Sequence, residues 1–335
     1  MTENRFKTEG RPVSCERYGE GHINETYLVV TDTGRRYILQ KLSKAAFKDI
    51  PALMENVIAV TGFLADKGAN SLRLIPADTG SLYCTDENGE YWRMYDFVEN
   101  SLCLQRAETP GDFYQSAIAF GEFQKQLREF PAETLHETIP NFHNTPDRYR
   151  IFREALENNL SGRAENAGPE IEFALRREKE ADALFRMNLP LRVTHNDTKL
   201  NNVLLDKNTR KPLCVIDLDT IMPGFVAFDF GDSIRFGAST GAEDEKDLGK
   251  IEMSIDLYNT FKEGFVTACD GLTDAEIESL RVGAKLMTLE CGVRFLTDYL
   301  DGDRYFATSR PEHNLDRTRT QFKLVADMEK KWDEM

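Results

Sequence analysis

The chain has 335 residues, 41% of them hydrophobic, enough for two lobes with a sizeable core. Its 42 Lys and Arg against 57 Asp and Glu give a formal net charge of −15, which argues against nucleic acid or an anionic membrane as partner and still permits a local phosphate site. The six cysteines are scattered with no C-x-x-C pair, and no signal-peptide core or bilayer-length apolar run is present, so reduced thiols and a cytoplasmic setting are expected; a monomer is compatible with all of this.

Residues 13–40 predict three strands joined by tight turns. Thr26–Val30 and Arg36–Leu39 are β-branched and aromatic, and Thr31-Asp32-Thr33-Gly34 turns between them. The first turn, Gly19-Glu20-Gly21-His22-Ile23-Asn24, holds two glycines that let backbone N–H groups approach a phosphate; alone, it also reads as an ordinary hairpin. Pro51, the face Leu53, Met54, Val57, Ile58, Thr61 and Leu64, and then Gly68 predict a helix over 51–67. Glu55 on that helix is either the partner of a phosphate-binding cation or a solvated carboxylate. Residues 72–98 return to β character, ending in Tyr91–Val98 before the polar Glu99-Asn100-Ser101. Thr109-Pro110-Gly111-Asp112 caps a helix that Pro131 stops, with Phe113, Ala117, Phe120, Phe123 and Leu127 on its core stripe. Residues 132–190 are charged and mainly helical, with loop character around Gly162–Pro169 and no recognisable chemistry.

The next stretch carries the chemistry. Residues 193–219 read VTHNDTKLNNVLLDKNTRKPLCVIDLD, placing His195, Asp197, Lys199, Asn202, Asp217 and Asp219 in order. H-x-D-x-x-x-x-N, a hairpin, then an Asp after an apolar strand is the spacing of a kinase catalytic loop. A phosphoryl acceptor hydroxyl needs a carboxylate beside it, and Asp197 can orient that hydroxyl and take its proton. Mg²⁺ prefers hard oxygen ligands, which Asn202 and Asp217 offer. Val203–Leu205 and Leu213–Ile216 flank the polar turn Asp206–Lys211, so the hairpin returns Asp217 to Asn202. With such a loop downstream, the glycine turn becomes a nucleotide-covering loop. The segment through Asp96 and Val98 becomes a hinge whose backbone bonds adenine. Asp229, within Phe228-Asp229-Phe230-Gly231-Asp232, comes too late to be the metal ligand; catalytic-loop backbone is its expected partner. Residues 247–335 predict helices, with a capping box at Thr273–Glu276, a long helix through about Leu300 and a terminal one over about 317–331. Glu290, Arg294 and Asp298 fall on one face of the long helix, as a surface ion-pair ladder or a positioned guanidinium. The aromatic loop Gly302–Phe306 follows.

At HNDTKLNN and IDLD the chain resembles the aminoglycoside phosphotransferase and choline kinase superfamily. More narrowly it is similar to the bacterial N-acetylhexosamine 1-kinases, through GEGHINETYLV, RYILQ, IDLDTIMPG, FDFGDSIRFGAST, ECGVRFLTDYL, DRYFAT and PEHNLDRTRTQ. The resemblance implies that Asp197 is the general base and that Asn202 and Asp217 hold Mg²⁺. It implies that Gly19–Asn24 covers the phosphates of ATP, and that His22, Arg294 and Tyr305 line a sugar pocket with Asp197. One position departs from the superfamily. A Lys or Arg usually ends the third strand, where this chain has Gln40; Lys41 beside it points to the other face. Gln brings no charge, so Lys199 is the expected source of positive charge near the γ-phosphate. The hexosamine kinases also tolerate Gln here.

The expected fold is therefore α+β and protein-kinase-like. Residues 1–98 would form a nucleotide-binding lobe, an antiparallel sheet with one helix; 99–335 would form a larger, mostly helical catalytic and sugar-binding lobe. The expected activity is ATP-dependent, Mg²⁺-dependent phosphorylation of the anomeric hydroxyl of an N-acetylhexosamine. The rivals are a kinase of the same fold for another small hydroxylated metabolite, and an impaired nucleotide-binding module, motivated by Gln40 and by Glu55 lacking a clear Lys partner.

Overall fold

The structure, a computed structural model, describes residues 2–19, 21 and 23–335. The β-branched and aromatic runs of the first hundred residues form β1 (Pro12–Arg17), β2 (Glu25–Thr31) and β3 (Arg36–Lys41). Helix α1 (Ile50–Asp66) follows, capped by the Asp49 carboxylate, which accepts from Ala52 N. The short β4 (Cys84–Thr85) and β5 (Tyr91–Asp96) complete an antiparallel sheet of order β1-β2-β3-β5-β4. Its register sets Thr26 opposite Gln40 and Gln40 opposite Arg93, one row on one face. Lys41 takes the other face and meets Glu25 at 3.6 Å and Glu90 at 3.5 Å.

Helix α1 buries Leu53, Met54, Val57, Val60 and Leu64 in a cluster that also takes Phe123, Leu127, Val193, Leu218 and Ile221 from later in the chain. Each such side chain contributes about 1.5–3 kcal/mol, so this shared cluster fastens the sheet domain to the helical remainder of the chain. Asn56 adds a polar fastening: Nδ2 donates to His136 O and Ile221 O, and Oδ1 accepts from His136 N.

The rest is mainly helical. In order come β6 (Ser101–Cys103), α2 (Pro110–Gln126), α3 (Thr145–Asn158), α4 (Gly168–Arg177), β7 (Arg192–Thr194), β8 (Val203–Asp206), β9 (Pro212–Val215), β10 (Met222–Gly224), α5 (Val226–Gly237), α6 (Ile255–Ala268), α7 (Asp274–Asp301) and α8 (His313–Lys330). The capping boxes at Thr109/Asp112 and Thr273/Glu276 both form. Three boundaries differ from the sequence reading. Helix α2 stops at Gln126, before Pro131, because the chain tightens into turns such as Phe130 N to Leu127 O. Gly168-Pro169 opens α4 rather than lying in a loop, since Pro fits a first helical turn. Helix α8 starts at His313, because Asn314 and Leu315 are already buried.

Helices α5 and α7 cross at glycines. A Cβ on Gly283 would stand 2.3 Å from Ala227 O, and one on Gly231 2.4 Å from Gly283 O. That close crossing seats α5, which carries Asp229 and Asp232 against the catalytic loop. Among the described residues no helix is long and apolar enough to cross a membrane.

Candidate active site

The loop after β7 is fixed from both sides. His195 is fully buried; its Nε2 meets Ile216 O at 2.9 Å, so the proton sits on Nε2 and Nδ1 accepts from Asp197 N. That single ring ties the residue before Asp217 to the backbone of Asp197. Asp229, on α5, accepts from His195 N and Asn196 N, and Gln124 of α2 donates to it at 2.7 Å. The catalytic-loop backbone is thus its partner, as expected. Burial raises the Asp229 pKa, against the bonds that hold its charge. Asp232, one turn on, accepts from Thr198 N at 2.9 Å and pairs with Arg235. Asn196 and Asp217 both adopt left-handed backbone, φ 64° and 59°, which Asn and Asp tolerate better than other non-glycine residues.

Four candidate residues converge here. Lys199 Nζ lies 2.7 Å from Asp197 Oδ1, and Asn202 Nδ2 donates to Asp197 Oδ2 at 2.9 Å and to its backbone O at 2.8 Å. The Asp197 side chain keeps 29% of its surface open, so the carboxylate remains reachable by a hydroxyl. Burial works against the Lys199 charge, but Asp197 and Asp232 hold it protonated, above the ordinary lysine range. The β8–β9 hairpin pairs Val203 with Val215, and Ile216 N donates to Asn202 O at 2.9 Å; Asp217 therefore stands beside Asn202. Asp217 is exposed to solvent, yet protein crowds it. That burial, then repulsion from Asp219 and Asp197, pushes its pKa up to about 6, with His195 and Arg93 opposing.

This donor set fits Mg²⁺. Asn202 spends its NH₂ group on Asp197, leaving its amide oxygen, and Asp217 offers a carboxylate with Asp197 and Asp219 nearby. Among the described residues no three His, Cys, Asp or Glu side chains form a metal cage. Two protein oxygens, completed by phosphate and water, is how this hard ion is usually bound.

The nucleotide-side candidates divide into free and engaged groups. Gly19 (φ 75°) has open space where a side chain would be, and Gly21 has only Asn24 O near. Asn24 is engaged: Nδ2 donates to Asp219, and Oδ1 accepts from Ser43 N. Gln40 is engaged too. Its Nε2 donates to Thr26 Oγ1, and its Oε1 accepts from Arg93 Nε and Nη2. At the hinge, the Asp96 carboxylate pairs with Arg73, and Val98 O accepts from Ser101 Oγ. Glu55 pairs with His136 at the surface, 2.6 Å away, instead of with a sheet cation. His22 lies outside the described residues.

Arg294 is not in an ion-pair ladder. Glu290 turns to His143 Nδ1 (2.9 Å) and Thr145 Oγ1 (2.6 Å), and Asp298 accepts from Arg304 N, Tyr305 N and Phe306 N. The guanidinium instead lies over the rings of Phe142, Tyr305 and Phe306, 5.2–5.8 Å from their centres. Among the described residues no carboxylate forms a salt bridge with it. Tyr305 is 68% exposed.

Two participants escaped the sequence reading. Arg93 is buried in β5, with Nη1 2.5 Å from Asp219 Oδ1. A lone Arg inside the strand YWRMYD was the available signal. His143, in the segment without recognisable chemistry, holds Glu290. No local signal marked it.

The model of the phosphotransferase enzyme family matches residues 14–252. Three solved structures cover most of the chain. The microcompartment-associated aminopropanol kinase is 16% identical over 98% of this chain and 95% of its own, with a TM-score of 0.60. The amicoumacin kinase hAmiN, in complex with AMP-PNP, Ca²⁺ and Ami, is 11% identical over 96% and 91%, TM-score 0.63. Aminoglycoside 2′-phosphotransferase-IIIa, as its GDP complex, is 14% identical over 93% and 93%, TM-score 0.62. At these identities the likeness concerns the fold, which is α+β and protein-kinase-like.

Proposed function

The chain belongs to the phosphotransferase enzyme family, and we propose that within it the protein is an ATP-dependent kinase for the anomeric hydroxyl of N-acetylglucosamine or N-acetylgalactosamine. The products are the sugar 1-phosphate and ADP. Asp197 orients the 1-hydroxyl and takes its proton as the sugar oxygen bonds to the γ-phosphorus in line. The bond to the β–γ bridging oxygen breaks, and ADP leaves with that electron pair. No bond to C1 breaks, so anomeric configuration is retained. Mg²⁺, when bound, neutralises phosphate charge; Asn202 and Asp217 would hold it. Lys199 brings a positive charge to the base, and Gly19 and Gly21 free the backbone for phosphate contact. Such chemistry asks the protein mainly for position and charge.

The observation that carries the acceptor side is Arg294. Its guanidinium is held by aromatic faces and has donors to spare for sugar oxygens. Tyr305 offers an exposed ring as a wall, and His22 in the glycine turn is a further proposed contact. Named relatives act on amino alcohols or aminoglycosides, which are cations. A guanidinium without a salt bridge at the acceptor would disfavour a cationic acceptor and suits a neutral acetamido sugar better. Against the impaired-module rival stands the convergence of Asp197, Lys199, Asn202 and Asp217, since a binding-only relic has no need of a base.

Arg294→Ala is the direct test of the acceptor site. It is expected to lower kcat/KM for the sugar about tenfold or more, since a lost charge-assisted hydrogen bond is worth about 1.5–3 kcal/mol. ATP affinity without sugar should stay as in the parent. An unchanged sugar kcat/KM would remove Arg294 from the acceptor site.

A further inference from the structure

Arg93 is among the largest fully buried side chains, 1% exposed in the middle of β5. A buried guanidinium persists only when its donors and its charge are matched. Here they are. Nε and Nη2 donate to Gln40 Oε1 at 3.0 and 2.9 Å. Nη1 lies 2.5 Å from Asp219 Oδ1 and 3.8 Å from the Met54 sulfur on α1. The Tyr95 ring centre is 5.1 Å from the guanidinium carbon. Gln40 is fixed in turn by Thr26. The second oxygen of Asp219 accepts from Asn24, at the end of the glycine turn, and Asn24 accepts from Ser43 N.

These contacts form one continuous line. It runs from β2 through β3 and β5 to Asp219, and from there back to the turn after β1. Asp219 lies in the tight helical turn Leu218–Thr220, directly after the left-handed Asp217. A carboxylate held at 219 anchors the turn whose N-cap is Asp217. Arg93 is buried and its charge is met by Asp219, so it acts through Asp219.

We propose that Arg93 is a positioning residue for the metal–nucleotide complex: through Asp219 it fixes Asp217 and the end of the glycine turn relative to one another. Gln40, at the same row of the neighbouring strand β3, is its holder. The inference rests on the nucleotide half of the reading above and is independent of the acceptor.

The test uses the full chain with ADP as probe, titrated calorimetrically with saturating Mg²⁺ and with EDTA. Two variants are needed. Arg93→Lys keeps the charge but cannot span Gln40 and Asp219 together. Arg93→Gln combined with Asp219→Asn leaves no lone buried charge, and decides the matter if Arg93→Lys does not fold. In both, the tightening of ADP by Mg²⁺ should weaken about 10- to 100-fold, the range seen when a group that orients a metal ligand is removed. ADP affinity in EDTA should fall by a clearly smaller factor, since only the glycine turn is then affected. A merely structural role would move both affinities together, or neither. Parent-like tightening by Mg²⁺ in a folded variant overturns the proposal. If the parent chain binds Mg²⁺–ADP but phosphorylates no N-acetylhexosamine, the acceptor reading fails and these titrations still judge Arg93. If the parent shows no Mg²⁺-dependent ADP binding, the nucleotide reading and this inference fall together.

Discussion

Asp197→Asn is expected to lower kcat about 10²- to 10⁴-fold, the usual cost of losing a general base, with ATP binding retained. The substitution preserves shape and can keep one oxygen near Lys199, now at 2.7 Å. What it removes is the proton acceptor. The frame around the position does not depend on that charge: His195, Asp229 and Asp232 hold the loop through its backbone. The loss should therefore appear in turnover, followed as ADP release, and not in calorimetric ATP affinity. Parent-like turnover would mean that Asp197 is not the base.

Asp217→Asn should move activity and stability in opposite directions. Replacing the charged carboxylate at the metal position by a neutral amide should cut kcat/KM by at least about 10²- to 10³-fold, the scale of removing one preorganised electrostatic group. The free protein should become more stable at neutral pH. The Asp217 pKa stands at about 6, above the ordinary 3.8, so the folded state favours the protonated carboxyl. Its ionised form therefore costs stability, a cost that grows as pH rises from about 4 to about 6 and is complete above that. Asn carries no such cost. The gain in Tm over the parent should be full at pH 7.5 and shrink below pH 6. Adding Mg²⁺ and nucleotide should raise the parent's Tm and leave the variant's nearly unmoved. A variant less stable than the parent at pH 7.5, or equally stabilised by Mg²⁺–nucleotide, would contradict the assignment.

The legible parts of this molecule were those encoded over short spans. Residues 195–202 announce a catalytic loop because its groups lie within a few residues, and the hairpin to Asp217 is written in two β-prone runs around a polar turn. Both capping boxes were readable because the reciprocal bonds span three residues. Arg93 was not readable, because its bond to Asp219 depends on the register that sets it opposite Gln40. Arg294 misled for the same reason. Helical spacing offers it Glu290 and Asp298, but segments distant in sequence claim both first: His143 and Thr145 take one, and the backbone of 304–306 takes the other. Local pattern proposes partners, and tertiary competition decides among them.

The central claim is that phosphate goes to the anomeric oxygen. It is tested by incubating the protein with Mg²⁺ and ATP and either free N-acetylglucosamine or its methyl glycoside, and monitoring products by ³¹P NMR. Free N-acetylglucosamine should give the 1-phosphate with one ADP released per sugar, and its C4 epimer should react at a different rate. The methyl glycoside, with no anomeric hydroxyl, should give no phosphorylated sugar, whereas its efficient phosphorylation would place the transferred group on another oxygen and contradict the account.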